Sequence, residues 1–179
     1  NLDEDLSEFP YVTGGLFEEN LPVASFDKRM RKTLLECCYF DWQKISPSIF
    51  GSMFQSVLNP VLRRNLGAHY TSEKNILKVI KPLFLDDLWT EFEKVKLNKN
   101  LLNEFHKKLG RLKFFDPACG CGNFLVVTYR ELRLLELEIL KTLHKEQQQH
   151  FDFETISRIN FDQFYGIEIE EFPARIAEV

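Results

Sequence analysis

The stretch Leu112-Lys113-Phe114-Phe115-Asp116-Pro117-Ala118-Cys119-Gly120-Cys121-Gly122-Asn123 constrains the fold more than any other part of the chain. A short apolar run passes straight into a loop with two glycines. A long helical pattern follows, with Leu125, Tyr129, Leu132, Leu135, Ile139 and Leu143 spaced 4, 3, 3, 4 and 4 residues apart. That change of period marks a buried strand feeding a helix. Phe164-Tyr165-Gly166-Ile167-Glu168-Ile169 reads as a second strand, and Phe172–Val179 as the start of another helix. Strand, glycine loop, helix, strand, helix is a βαβ unit, which pairs its strands in parallel through a right-handed crossover. Ligands of such sheets bind at the carboxyl ends of the strands. Asp116 and Glu168 stand at those two ends.

Upstream of this unit the period is helical. Phe9–Phe17 surrounds a Gly14-Gly15 pair and reads as a hairpin or extended loop, but residues 26–40 place Met30, Leu34, Cys37 and Cys38 on one helical face. Ser46-Pro47 opens a second helix, whose face is Ile49, Phe50, Phe54, Val57 and Leu58 and which Pro60 helps to end. After a loop at 63–72, Thr71 or Ser72 can cap a helix with Ile76, Ile80, Leu83 and Phe84 inward, which Pro82 is expected to kink or split. Residues 87–100 are a polar stretch. Leu102, Phe105 and Leu109 face inward from a further helix ending at Gly110, and 145–163 is polar and irregular.

With 27 acidic and 23 basic residues among 179, the net charge of −4 excludes a wholly basic nucleic-acid coat but leaves room for a local basic groove. Lys28-Arg29-Met30-Arg31-Lys32 and Arg63-Arg64 are the basic clusters, and both read first as solvated faces. Charge interrupts every apolar run before 18 residues, so no membrane span is expected. No basic-then-apolar leader follows Asn1, so no signal peptide is expected. The missing initial Met, and a terminal helix with no stop signal, lead us to expect a piece of a longer chain. Cys37, Cys38, Cys119 and Cys121 lack Cys-x-x-Cys spacing, and His69, His106, His144 and His150 lack metal spacing. Reduced thiols in a cytoplasmic protein, and no metal, are expected.

Gly120 and Gly122 let the backbone turn sharply and approach a ligand closely. No Gly-Lys-Ser/Thr follows, as a P-loop needs, and the third glycine of a dinucleotide fingerprint would fall at Leu125. Asp116 sets a negative charge beside the turn, which suits a cationic group better than a pyrophosphate. Glu168 can accept both hydroxyls of a ribose. A nucleoside with a cationic tail and no phosphate is S-adenosylmethionine. The competing readings are a plain tight turn for the glycines, a helix cap for Asp116 and a solvated strand-end charge for Glu168.

Asp116-Pro117-Ala118-Cys119-Gly120-Cys121-Gly122-Asn123-Phe124 resembles motif I of the class I, amino-directed DNA methyltransferases, where Ser is usual at the position of Cys121. Gly67-Ala68-His69-Tyr70-Thr71 resembles motif X of the N6-adenine enzymes, and Gly166–Glu170 resembles motif II. Trp42–Leu58 and Phe9–Phe17 are similar to segments of large single-chain type IIG/IIL restriction–modification enzymes. The resemblance implies a bacterial protein with a mostly helical spacer over 1–65. It implies that 66–179 is the N-terminal part of a Rossmann-like α/β methyltransferase fold. It implies S-adenosylmethionine as cofactor, and double-stranded DNA as partner through the full-length protein. Tyr70 and Thr71 would lie near the methionine end. Asp116, Pro117, Ala118, Gly120 and Gly122 would line the methionine and ribose side. Phe124 would pack behind the loop, as cofactor support or as ordinary core. Glu168 would hold the ribose, with Ile169 against the adenine. The family's catalytic Asn/Asp-Pro-Pro-Tyr/Phe does not occur in residues 1–179, so catalytic residues are not expected here. Protein glutamine methyltransferases share these motifs, and a methyltransferase-like scaffold that only binds DNA is the non-enzymatic alternative.

Overall fold

The computed structural model describes residues 25–42, 71–144 and 157–179, together with the single positions 45, 49 and 53. The expectations for Phe9–Phe17, for Arg63–Tyr70 and for 145–156 lie outside them, as does the helix after Ser46 except at the single helical positions Ile49 and Met53. Helix α1 spans Lys28–Cys38, and Asp27 caps it by accepting from the Met30 amide at 2.7 Å. Its basic residues are exposed, Lys32 lies 3.6 Å from Glu36, and the Met30 and Leu34 side chains stay half exposed.

Helix α2 (Glu73–Ile80) runs through a π-helical turn (Lys81–Leu85) into α3 (Asp86–Val95). Ser72 occupies the N-cap position of α2 without a side-chain bond, and its carbonyl takes the Asn75 and Ile76 amides instead. Pro82 is expected to kink or split the helix, and the π-helical turn that separates α2 from α3 lies at this position. Pro82 has no N–H, so the Lys78 carbonyl cannot receive the usual bond, and the chain widens by one residue rather than stopping. The Asp86 amide accordingly bonds to Lys81 O, five residues back. The extra residue also corrects the expected face: Leu83 is 69% exposed, and Leu85 and Leu88 turn inward in its place. The polar stretch from 87 proves amphipathic, with Leu88 and Phe92 buried.

Helix α4 (Lys99–Leu109), capped by Asn98, buries Leu102, Phe105 and Leu109 as expected and ends at Gly110. Strand β1 (Phe114–Asp116) leads through the glycine loop into α5 (Asn123–Leu143). A 3-10 turn (Phe161–Gln163) opens β2 (Phe164–Gly166), and α6 (Glu171–Glu178) follows. The two strands pair in parallel, with Phe114 opposite Phe164, Phe115 opposite Tyr165 and Asp116 opposite Gly166. The architecture is therefore helix-rich α/β with a parallel pair joined through a helix.

The strands bury one face only. Phe114 and Phe164 stack with centroids 5.2 Å apart, and Tyr129 of α5 stands edge-on to Phe164 at 5.6 Å. Phe115 was expected to be buried but is 60% exposed, and Tyr165 and Ile167 share its outward face. Alternation is the reason, since successive strand side chains point to opposite faces. No described element covers the outer one. The core is a cluster of Leu88, Phe92, Leu102, Phe105, Leu109, Leu132, Leu135, Ile139 and Ile159. Full burial of such a side chain contributes ~1.5–3 kcal/mol. Exposed ion pairs such as Lys107–Glu104 and Lys141–Glu138 contribute ~0–1 kcal/mol. The apolar cluster, not the helix surfaces, therefore joins α3, α4 and α5.

Candidate cofactor site

The site is built where the two strands stop. Beyond the paired residues, the Ile167 amide donates to Asp116 O at 3.0 Å and the Cys119 amide to Ile167 O at 3.0 Å. The loop after β1 is thus stitched to the chain after β2. Asp116 turns back on its own loop, with Oδ1 accepting from the Ala118 amide at 3.0 Å. Gly120 and Gly122 have φ of 56° and 79°, left-handed values that favour glycine, and the Gly122 amide donates to Cys119 O at 2.8 Å. Gly122 is also the N-cap residue of α5.

Glu168 completes the arrangement. Its Oε2 accepts from the Gly120 amide at 2.8 Å, and its Oε1 from the Glu170 amide at 3.0 Å. An ionised carboxylate has about four acceptor positions, so roughly two remain. Both acids act on one neighbour. Burial pushes the Cys119 thiol up from its ordinary range, and the charges of Asp116 and Glu168 push it further the same way. Cys119 is therefore a packed thiol, not an activated one.

The close fit depends on Gly166. A Cβ there would lie 2.6 Å from Cys119 Sγ and 3.0 Å from Cys119 Cβ. Gly166→Ala is expected to lift the loop and weaken ligand binding about tenfold, by the ~1–3 kcal/mol typical of overpacking. Cys119→Ala should restore much of the loss, and titration calorimetry on the single and double variants checks it. Sequence reading passed over Gly166 as a site residue, although an isolated glycine in a strand does signal close backbone approach.

The structure joins Asp116, Ala118, Gly120 and Glu168 in one hydrogen-bonded unit, with Pro117 and Gly122 in its loop. Phe124 is partly buried and packs against the cluster of Ile76, Ile80, Leu85 and Val127. A cleft of about 660 Å³ runs between the α2–α3 region and β1; Asp116, Pro117 and Phe124 line it, but Gly120 and Glu168 do not. Ile169 is 90% exposed. Thr71 precedes α2, whose Glu73 meets Arg130 of α5 at 2.7 Å, and Thr71 makes no described bond to the glycine loop. Glu73 and Glu131 hold the Arg130 guanidinium above its ordinary range. Tyr70 lies outside the described residues. Among the described residues no group of three or more His, Cys, Asp or Glu could hold a metal, and no helix is long and apolar enough to cross a membrane.

Residues 92–179 match the family model described as MmeI, DNA-methyltransferase domain. That part of the chain is similar to an MmeI-type DNA-methyltransferase domain. The chain is 69% identical to the type IIL restriction–modification enzyme MmeI, solved in complex with DNA, with a TM-score of 0.85. That alignment covers 99% of this chain and 24% of the MmeI chain. It is 46% identical over 175 residues to DNA methyltransferase A of Bacillus subtilis (strain 168), covering 97% of this chain and 20% of that protein. The chain thus spans about a fifth to a quarter of the length of these relatives.

Proposed function

We propose that the full-length protein is an S-adenosylmethionine-dependent DNA adenine-N6 methyltransferase of a restriction–modification system. In this reading residues 66–179 are the cofactor-binding start of its Rossmann-like domain and 1–65 a helical spacer. The observation that carries the reading is the Gly120 amide seated on the Glu168 carboxylate, with Asp116 at the neighbouring strand end. The donor set suits this cofactor. Glu168 keeps acceptor positions for the two ribose hydroxyls. Asp116 Oδ2 accepts no bond among the described residues and offers a charge to the cationic end. The left-handed glycines leave the backbone open to approach, and Asn123 Nδ2, buried at the head of α5, has no hydrogen-bond partner among the described residues.

Glu168 would orient the ribose, and Asp116, Pro117, Ala118, Gly120 and Gly122 would line the methionine side. Tyr70, Thr71, Phe124 and Ile169 complete the proposed set. Bound S-adenosylmethionine supplies an electrophilic methyl group. The residues here bind and orient, because Asn-Pro-Pro-Tyr does not occur in 1–179. Double-stranded DNA is the proposed substrate and the cytoplasm the proposed setting; the likeness to MmeI in complex with DNA supports the first.

Titration calorimetry of the full-length protein with S-adenosylmethionine tests the reading, and binding weakened at least tenfold by Asp116→Ala is expected. No binding, or binding unchanged in that variant, would remove it. Methyl transfer to peptide glutamine and not to DNA would replace it with the protein-directed alternative.

A further inference from the structure

We propose that Gln163 is a positioning residue for the cofactor site: its buried amide sets the register of β2 against β1, and with it the seat of Glu168 on Gly120. The inference rests on the S-adenosylmethionine reading above.

Gln163 is 1% exposed and immediately precedes β2. Its Nε2 donates to Leu109 O at 2.8 Å and to Leu112 O at 3.0 Å, and its Oε1 accepts from the Asn160 amide at 2.8 Å. Leu109 ends α4, and Leu112 lies two residues before β1. One side chain therefore fastens the head of β2 to the turn that feeds β1. From that point the pairing runs Phe114–Phe164, Phe115–Tyr165 and Asp116–Gly166, and continues through Ile167 and Cys119 to the Gly120–Glu168 bond.

Some such device is needed, because the strands cannot choose their own register. Each has three residues. The first two positions of both are aromatic, so a slip of one would still set aromatic rings opposite one another. The same slip would turn every side chain of β2 to the other face and carry Glu168 off the glycine loop. On the outer face Lys113 Nζ donates to Asp162 O at 2.7 Å, but that contact is exposed and competes with water. The bond to Leu109 is buried and the bond to Leu112 part-buried. Without them the Leu109 carbonyl keeps only the Leu112 amide at 3.2 Å and the Leu112 carbonyl loses this partner, and an acceptor left unmatched away from water costs more than the bond itself contributes. An amide fits the task because it supplies two donors and an acceptor at once. A glutamate would confront both carbonyls with charge, and a methionine would fill the space and bond to neither.

The test uses the full-length protein, unaltered and as Gln163→Met. Its dissociation constant for S-adenosylmethionine, and its KM for that cofactor in methylation of unmodified genomic DNA, are both expected to rise about tenfold, with kcat within about twofold. An unchanged KM, with or without a fall in kcat, would overturn the positioning role. Should Gln163→Met not yield folded protein, Gln163→Glu gives the answer within a single preparation. Protonated, its carboxyl can donate to one carbonyl, so the excess of its KM over that of the unaltered protein should shrink from pH 8 to pH 6. A pH-independent excess would overturn the proposal. Failure of the unaltered protein to bind S-adenosylmethionine would remove the underlying reading instead, which separates the two failures.

Discussion

Glu136→Ala is expected to destabilise the protein by about 3–5 kcal/mol, the range for stripping one partner from a buried ion-pair network. Glu136 lies in the middle of α5 and is 1% exposed. Its Oε1 accepts from His106 Nε2 at 2.7 Å, from the Arg158 amide at 2.5 Å and from the Ile159 amide at 3.3 Å. Its Oε2 accepts from Arg133 at 2.6 Å and from the Ser157 hydroxyl at 2.8 Å. One carboxylate thus ties α4, α5 and the chain returning to β2. Alanine would leave a buried imidazole and two backbone amides without their acceptor, against a total stability of ~5–15 kcal/mol for a typical domain. Glu136→Gln keeps one acceptor oxygen and should cost less, about 1–3 kcal/mol. Burial pushes the Glu136 carboxyl up, but the bonds from His106, the Arg158 amide and Ser157 outweigh it and hold the group below its ordinary 4.5. A depressed folded value means stability that is present above about pH 4.5 and lost as pH falls through the lower folded value. Hydrogen exchange over residues 130–144 and 157–163 measures both effects. Equal protection in Glu136→Ala, or an acid limb that survives in Glu136→Gln, would sink the account.

Sequence alone gave access to features that depend on local chemistry. The left-handed turns at Gly120 and Gly122, the parallel pairing of the two strands and the inward residues of α4 were legible because glycine, alternation and helical spacing act within a few residues. The inward turn of Leu85 was not, because a π turn shifts the spacing by one and the chain offers no local sign of it beyond Pro82. Phe115 read as buried because two adjacent phenylalanines do not reveal which face is covered. Glu136, Ser157 and Gln163 stayed hidden for another reason. A buried polar residue looks like a surface residue until its distant partners are known, and those partners lie 21 to 54 positions away. At the site, the two strand-end acids were legible as a pair, but not the contact of Gly166 with Cys119, which arises only once the loop folds back over β2.

On the proposed reading, Glu168→Ala should weaken S-adenosylmethionine binding by on the order of a hundredfold. A hydrogen bond from a ribose hydroxyl to a charged group contributes ~1.5–3 kcal/mol, and each 1.4 kcal/mol is tenfold in affinity, so two such bonds reach that size even with partial compensation by water. The Gly120 and Glu170 amides would also lose their acceptor, but the first bond is only part-buried and the second exposed, so water offsets much of that loss. The larger share of the effect is therefore attributed to the ligand. An analogue without the ribose hydroxyls separates the two contributions in a double-mutant cycle. The unaltered protein should bind it as weakly as Glu168→Ala binds the complete cofactor, and the variant should bind both molecules alike. A variant that loses the same factor for both would show that Glu168 only shapes the glycine loop. A variant within twofold of the unaltered protein would show that the carboxylate does not hold the ribose.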